Sequence, residues 1–226
     1  MKVTYYGHSC FSVVIQNKHL VFDPYISANQ FASDIDVDQI KADYIFVSHA
    51  HFDHIGDVER IANNTGAVVI SNWELTDYFK REDLKNVRPI NPGGQFTADF
   101  GTVKCVSSIH SSSLPDGTYG GIACGFVFKS ADGNFYFSGD TGLTMDMQLI
   151  TRWAKLDFAV LPIGDVLTMG IQEAIEASRF VGVNKVLAVH YDTFASIRID
   201  RQKAVAEFEA AGIELFLMEI GSTIEL

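Results

Sequence analysis

The chain has 226 residues, 47% of them hydrophobic, with 17 lysines and arginines against 28 aspartates and glutamates and a formal net charge of −11. That length suits one α/β unit with a sizeable core, so residues 1–226 are expected to form a single domain. The acidic balance argues against nucleic acid as a partner, because a phosphate backbone needs a basic face, and no apolar run is long enough for a membrane span.

The first ten residues carry one lysine and a strand-like Val3-Thr4-Tyr5-Tyr6, unlike the apolar centre of a signal peptide. Residues 3–6, 11–15 and 19–22 read as a meander of strands, the last two joined by the turn-forming Asn17-Lys18. The apolar run Tyr44-Ile45-Phe46-Val47-Ser48 reads as a buried strand that ends in a cluster of histidines. Periodicity then predicts a helix over 55–63, a strand over 67–70 and a helix over 73–79. A second series follows, with strands over 103–109, 122–128 and 135–138, a helix over 145–153, a strand over 158–161, a helix over 172–181 and a strand over 186–189. A helix over 201–211 and a strand over 213–218 close the chain. Two β-rich series, each finishing in helices, suit two sheets packed face to face with helices outside. The stretches 27–33 and 111–121 lack periodicity and are candidate pocket walls.

Cys10, Cys105 and Cys124 are odd in number, widely spaced and without a Cys-X-X-Cys pair. They are expected to be buried free thiols, which places the chain in a reducing compartment, the cytoplasm.

The chemistry concentrates in His49, His51, Asp53 and His54. Imidazole and carboxylate are ligands that first-row divalent metals prefer, and core packing rarely needs such a density of them. The spacing lets His49 and His51 face one way and Asp53 and His54 another, so two metals about 4 Å apart can share the group where one could not. The remaining histidines are few. His110 and His190 follow strand-like runs, and strand C-terminal ends are where α/β sheets present ligands. Asp140 lies between Gly139 and Gly142, glycines that let the backbone turn sharply close to a metal. His8 reads either as a group facing substrate or supporting a ligand, or as an ordinary strand-end histidine, and His19 as structural.

The chain resembles the metallo-β-lactamase superfamily of hydrolases, and within it the metal-dependent hydrolase family related to L-ascorbate-6-phosphate lactonase. The resemblance runs through Gly7-His8-Ser9-Cys10-Phe11, Asp23-Pro24, the His49 cluster, Ile109-His110-Ser111, Ser138-Gly139-Asp140-Thr141, Pro162-Ile163-Gly164-Asp165 and His190-Tyr191-Asp192-Thr193-Phe194. It implies a four-layer αββα sandwich in which His49, His51 and His110 hold one metal, Asp53, His54 and His190 a second, and Asp140 bridges both. Two positions depart from the family pattern: Ser48 stands where threonine is common, and Ala195 where a proline is expected, which removes a restraint from the loop carrying His190.

Paired metals lower the pKa of a shared water towards about 7, so the expected activity is hydrolysis of a small ester, lactone or phosphoester by a metal-bound hydroxide. Zinc heads the candidate metals, ahead of manganese, iron and nickel, and no organic cofactor is expected. Asp53, Asp140 and His8 are the candidate catalytic side chains, Asp53 as the proton shuttle to the leaving group. Asp23 is placed to fix the tautomer of a ligand histidine, while Asp165, Tyr191 and Thr193 are candidate pocket residues. The expected partner is a small-molecule substrate, with a homo-oligomer possible. An iron-dependent oxidoreductase of the same fold is the alternative, against which His51 stands where diiron reductases carry glutamate. A metal-stabilised binding module without catalysis is the other.

Overall fold

The aromatic residues explain why the layers meet as they do. In the computed structural model, which describes residues 1–226, two seven-stranded mixed sheets face each other. Strands β1 (Lys2–Gly7), β2 (Cys10–Ile15), β3 (Lys18–Phe22), β4 (Tyr44–Phe46), β5 (Val68–Ser71) and β6 (Val87–Pro89) belong to the first sheet. The second contains β7 (Gln95–Ala98), β8 (Gly101–Ser107), β9 (Cys124–Lys129), β10 (Asn134–Phe137), β11 (Phe158–Pro162), β12 (Lys185–Val189) and β13 (Glu214–Phe216). The last strand, β14 (Thr223–Glu225), returns to the first sheet and pairs antiparallel with β1. Strand order is β14-β1-β2-β3-β4-β5-β6 in one sheet and β13-β12-β11-β10-β9-β8-β7 in the other.

Alternate residues of each strand point into the space between the sheets, and many of them are phenylalanine. Phe11 stacks on Phe22 at 4.4 Å, and Phe128 on Phe135 at the same spacing. Across the gap, Phe46 meets Phe128 edge-on at 4.8 Å and Phe22 meets Phe137 at 5.5 Å. Stacked pairs within a sheet and edge-on pairs between sheets match the favoured geometries of the aromatic quadrupole. Each outer face carries its own apolar cluster beneath helices. Helices α1 (Phe52–Ile55), α2 (Val58–Thr65) and α3 (Trp73–Arg81) lie on the first half, and α4 (Ile171–Val181) and α5 (Arg201–Ala210) on the second. Ile61, Leu75 and Phe79 seal one side, Ala174, Ala177 and Phe208 the other. The order is therefore helix, sheet, sheet, helix, the αββα sandwich expected. None of these helices is long and apolar enough to cross a membrane.

Some boundaries differ from the sequence reading. The helix expected over 55–63 is two pieces: α1 begins inside the histidine cluster, and the chain is re-aimed at Gly56-Asp57 before α2. Residues 145–152 wind as a tight 3-10 turn rather than an α-helix. Strands β6, β7 and β14 were not anticipated; each is short and lies at or next to a sheet edge, where little hydrophobic periodicity is required.

The central strands β3, β4, β5, β10, β11 and β12 run parallel to neighbours, so their C-terminal ends gather at one edge of the sandwich. Asp23 follows β3, His49 follows β4, Asp140 follows β10 and His190 follows β12. Strand β8 is antiparallel to β9, which is antiparallel to β10, so His110 emerges at the same edge.

Candidate metal centre

Asp140 is the hub of this edge. Its Oδ2 lies 2.9 Å from His190 Nε2, 3.2 Å from His54 Nε2, 3.6 Å from His110 Nε2 and 3.9 Å from His49 Nε2. The backbone reaches this position through Gly139, at φ +60°, where an added Cβ would come within 2.6 Å of the Cys124 carbonyl oxygen and 2.7 Å of Ser48 Cβ. Gly142 has neither a positive φ nor a close neighbour, so only one of the two flanking glycines is required by the turn.

The ring nitrogens fall into two groups. His49, His51 and His110 place ligand atoms within 4.8 Å of one another, and His8, Asp53, His54 and His190 form a second such set. His49 Nε2 and His51 Nδ1 are 2.9 Å apart. Asp23, His49 and His54 also bring ligand atoms within 4.8 Å of one another. The hydrogen bonds of Asp23 give it a different place. Its Oδ1 accepts from the Ser48 backbone N–H at 2.7 Å, and its Oδ2 accepts from Ser48 Oγ at 2.6 Å and His54 Nδ1 at 2.7 Å. Ser48 Oγ, having donated its proton to Asp23, accepts from His49 Nδ1 at 2.9 Å. One buried carboxylate therefore fixes both rings with protons on Nδ1 and turns both Nε2 atoms towards Asp140. The hydroxyl is common to serine and threonine, so the departure at Ser48 keeps this link.

His8 is enclosed, with its Nε2 3.1 Å from Asp53 Oδ2 and its Nδ1 3.0 Å from Thr193 Oγ1. Burial lowers its pKa to about 4, against the opposing pull of Asp53, so the ring is neutral near pH 7. A neutral ring has one N–H, and ionised Asp53 can only accept, so Nε2 donates to Asp53 and Thr193 donates to Nδ1. Burial would raise the Asp53 pKa, but the bond from His8 and the nearby histidines hold it below the ordinary carboxylate range. At His54 burial also opposes charge, yet Asp140 and Asp23 on either side raise its pKa well above the ordinary value. Burial lowers His49, His51 and His110.

The loop after β12 holds His190 at φ +54°, its N–H donating to the His8 carbonyl at 3.0 Å. Without a proline at Ala195, the loop is closed by Asp192 N–H to the Ile197 carbonyl at 2.9 Å and Ile199 N–H to Asp192 Oδ1 at 3.0 Å. Two buried atoms at the hub, His54 Nε2 and Asp140 Oδ1, have no hydrogen-bond partner. Converging imidazole lone pairs, carboxylates and unpartnered buried atoms fit a divalent cation, which would satisfy both.

Of the other residues singled out, Tyr191 and Thr193 line a cavity beside the centre, as does Phe31 from the 27–33 stretch. Ser111, from the 111–121 stretch, puts its Oγ 3.4 Å from His51 Nε2. Asp165 is exposed and receives the N–H of Val166 at 2.8 Å within its own turn. His19 lies in β3, away from the centre. Sequence reasoning missed Arg198 and Arg201 on the cavity wall, because isolated arginines in and after a loop carry no motif.

Residues 18–191 match the family described as "Beta-lactamase superfamily domain". The chain belongs to that superfamily. A "UPF0173 metal-dependent hydrolase" of Flavobacterium johnsoniae is 48% identical over 226 residues, covering 100% of both chains. Among solved structures, Igni18, a metallo hydrolase from Ignicoccus hospitalis, superposes with a TM-score of 0.89 at 31% identity, covering 99% of this chain and 97% of that one. An isothiocyanate hydrolase from Delia radicum gut bacteria shares the fold, with a TM-score of 0.80 at 20% identity over 100% of this chain and 99% of that one. The protein is thus a metal-dependent hydrolase of the metallo-β-lactamase fold, and its cluster of histidines and aspartates is where the superfamily member can bind metal.

Proposed function

We propose that this hydrolase is dinuclear and cleaves a small ester, lactone or phosphoester. The observation that carries the reading is the position of Asp140 Oδ2 among imidazole nitrogens from the segments after β4, β8 and β12. His49, His51 and His110 would hold one cation, Asp53, His54 and His190 the other, and Asp140 would be shared. When bound, two divalent cations, zinc first among them, supply Lewis acidity and lower the pKa of a water towards about 7. The rest falls to the chain's own side chains. Asp23 and Ser48 orient His49 and His54; Thr193 and His8 together hold one oxygen of Asp53 in place. Asp53, kept ionised at neutral pH and 12% exposed at its side chain, is placed to take up the proton that the attacking water loses and to pass it to the leaving group.

Metal analysis of protein purified without chelator tests the number directly, with about two equivalents per chain expected. Asp140→Ala should reduce bound metal and abolish turnover of generic lactone and phosphodiester substrates. A full complement of metal in that variant, or fewer than one equivalent in the wild type, would overturn the dinuclear reading.

A further inference from the structure

Beside the centre lies a cavity of about 590 Å³, a size that accommodates a small organic ligand. Phe31, Ile199, Met218 and Ile220 give it apolar walls, and Tyr191, Thr193 and Arg198 add polar groups. The cavity and the centre meet at His8. Thr193 lines the cavity and bonds His8, and His8 bonds Asp53, so two hydrogen bonds link the cavity wall to a candidate ligand.

Two features of this wall have no use in the hydrolytic machinery. The Tyr191 hydroxyl is buried without a hydrogen-bond partner, a costly state unless something else supplies one. Arg198 has no ion pair, whereas Arg201 is engaged by Asp192 at 2.8 Å and Glu219 at 3.7 Å and lies 5.5 Å from the Tyr191 ring. Glu219 is 84% exposed at its side chain, so solvent screens its charge. Arg198 is exposed at the rim of the cavity, so its unpaired charge is open to an anion that enters from solvent.

We infer that this cavity receives the end of the substrate distal to the scissile bond, and that this end carries an oxyanion, a carboxylate or a phosphate, held by Arg198. The inference rests on the hydrolytic reading above and narrows its substrate class: a small molecule with a hydrolysable bond at the metals, an apolar middle and an anionic terminus. Its apolar part packs against Met218 and Ile220, on a wall that also carries Tyr191 with its unpartnered hydroxyl.

The test compares two aryl esters with one leaving group, one with a neutral acyl chain and one ending in a carboxylate, on metal-replete protein. The ratio of kcat/KM for the carboxylated over the neutral ester should fall about tenfold in Arg198→Ala and recover in part in Arg198→Lys, as a charge-assisted contact requires. An unchanged ratio overturns the inference. Calorimetric titration with glutarate gives a second readout that needs no turnover, with binding to the wild type that weakens about tenfold in Arg198→Ala. Equal glutarate binding by the two proteins also overturns it. Absence of turnover on both esters, with Arg198-dependent glutarate binding, would count against the hydrolytic reading while keeping the anion site.

Discussion

Asp23 shows how one side chain can govern a centre it does not enter. Fully buried, it accepts three hydrogen bonds and sets the protonation of two rings, so its charge is compensated entirely within the protein. Removing it strands the Ser48 N–H, the Ser48 hydroxyl and the His54 Nδ1–H in a site closed to water. Asp23→Ala should therefore cost about 3 kcal/mol of stability, within the range for breaking a buried charged network. Because His49 and His54 would also lose their fixed orientation, metal affinity should drop by about ten- to a hundredfold. Competition for zinc against a chelator measures the second effect separately from thermal melting. Unaltered affinity would show that Asp23 serves packing alone.

At the scale of elements, the centre depends on strand ends that must approach each other closely. Gly164, just beyond β11, has no room for a Cβ, which would collide with the carbonyl oxygen of His190 beyond β12. Gly164→Ala should push the His190 loop outward while leaving the loops bearing His49, His51 and His110 in place. The expected result is selective: bound metal falling from about two equivalents towards about one, with activity lost. Loss of both metals together would mean that the two sets cannot form independently. This dependence also explains what the sequence could convey. Strongly apolar strands such as β11 and β12 are legible because both faces are buried, and the histidines just after such runs fall where parallel strands end. The pairing of β14 with β1, from opposite ends of the chain, leaves no local trace. Nor does the break between α1 and α2, where Asp57 caps no backbone N–H of its own helix but ties down Ile26 and Ser27. Ser48 illustrates the same limit within the site: as a residue type it looked like a minor variation, and only the fold reveals it as the link between His49 and Asp23.

For the whole molecule, the histidines make stability a function of pH. In the metal-free protein, His8, His49, His51 and His110 all titrate below the ordinary value, chiefly because burial disfavours their charge. Between about pH 6.5 and the lowered values, about 4 for His8, the unfolded chain takes up protons that the folded chain does not, so stability falls with acidification. His54 acts in the opposite sense: burial opposes its charge, but Asp140 and Asp23 prevail, and its contribution is full below about 6.5 and lost as pH rises through its folded value. Each group contributes at most about 1.4 kcal/mol per pH unit, and four outweigh one. Asp53 adds to the acid side further down, since its lowered pKa gives stability that is present above about 4 and lost below. Bound metal reinforces the trend, because the ligand nitrogens and carboxylates must be free of protons to hold it. Melting temperature should therefore decline from pH 7.5 to pH 5 in chelator, and decline more steeply with zinc present. A flat or rising profile in chelator would mean that the Asp23-His54-Asp140 charge cluster, rather than the neutral histidines around it, dominates the electrostatics of the fold.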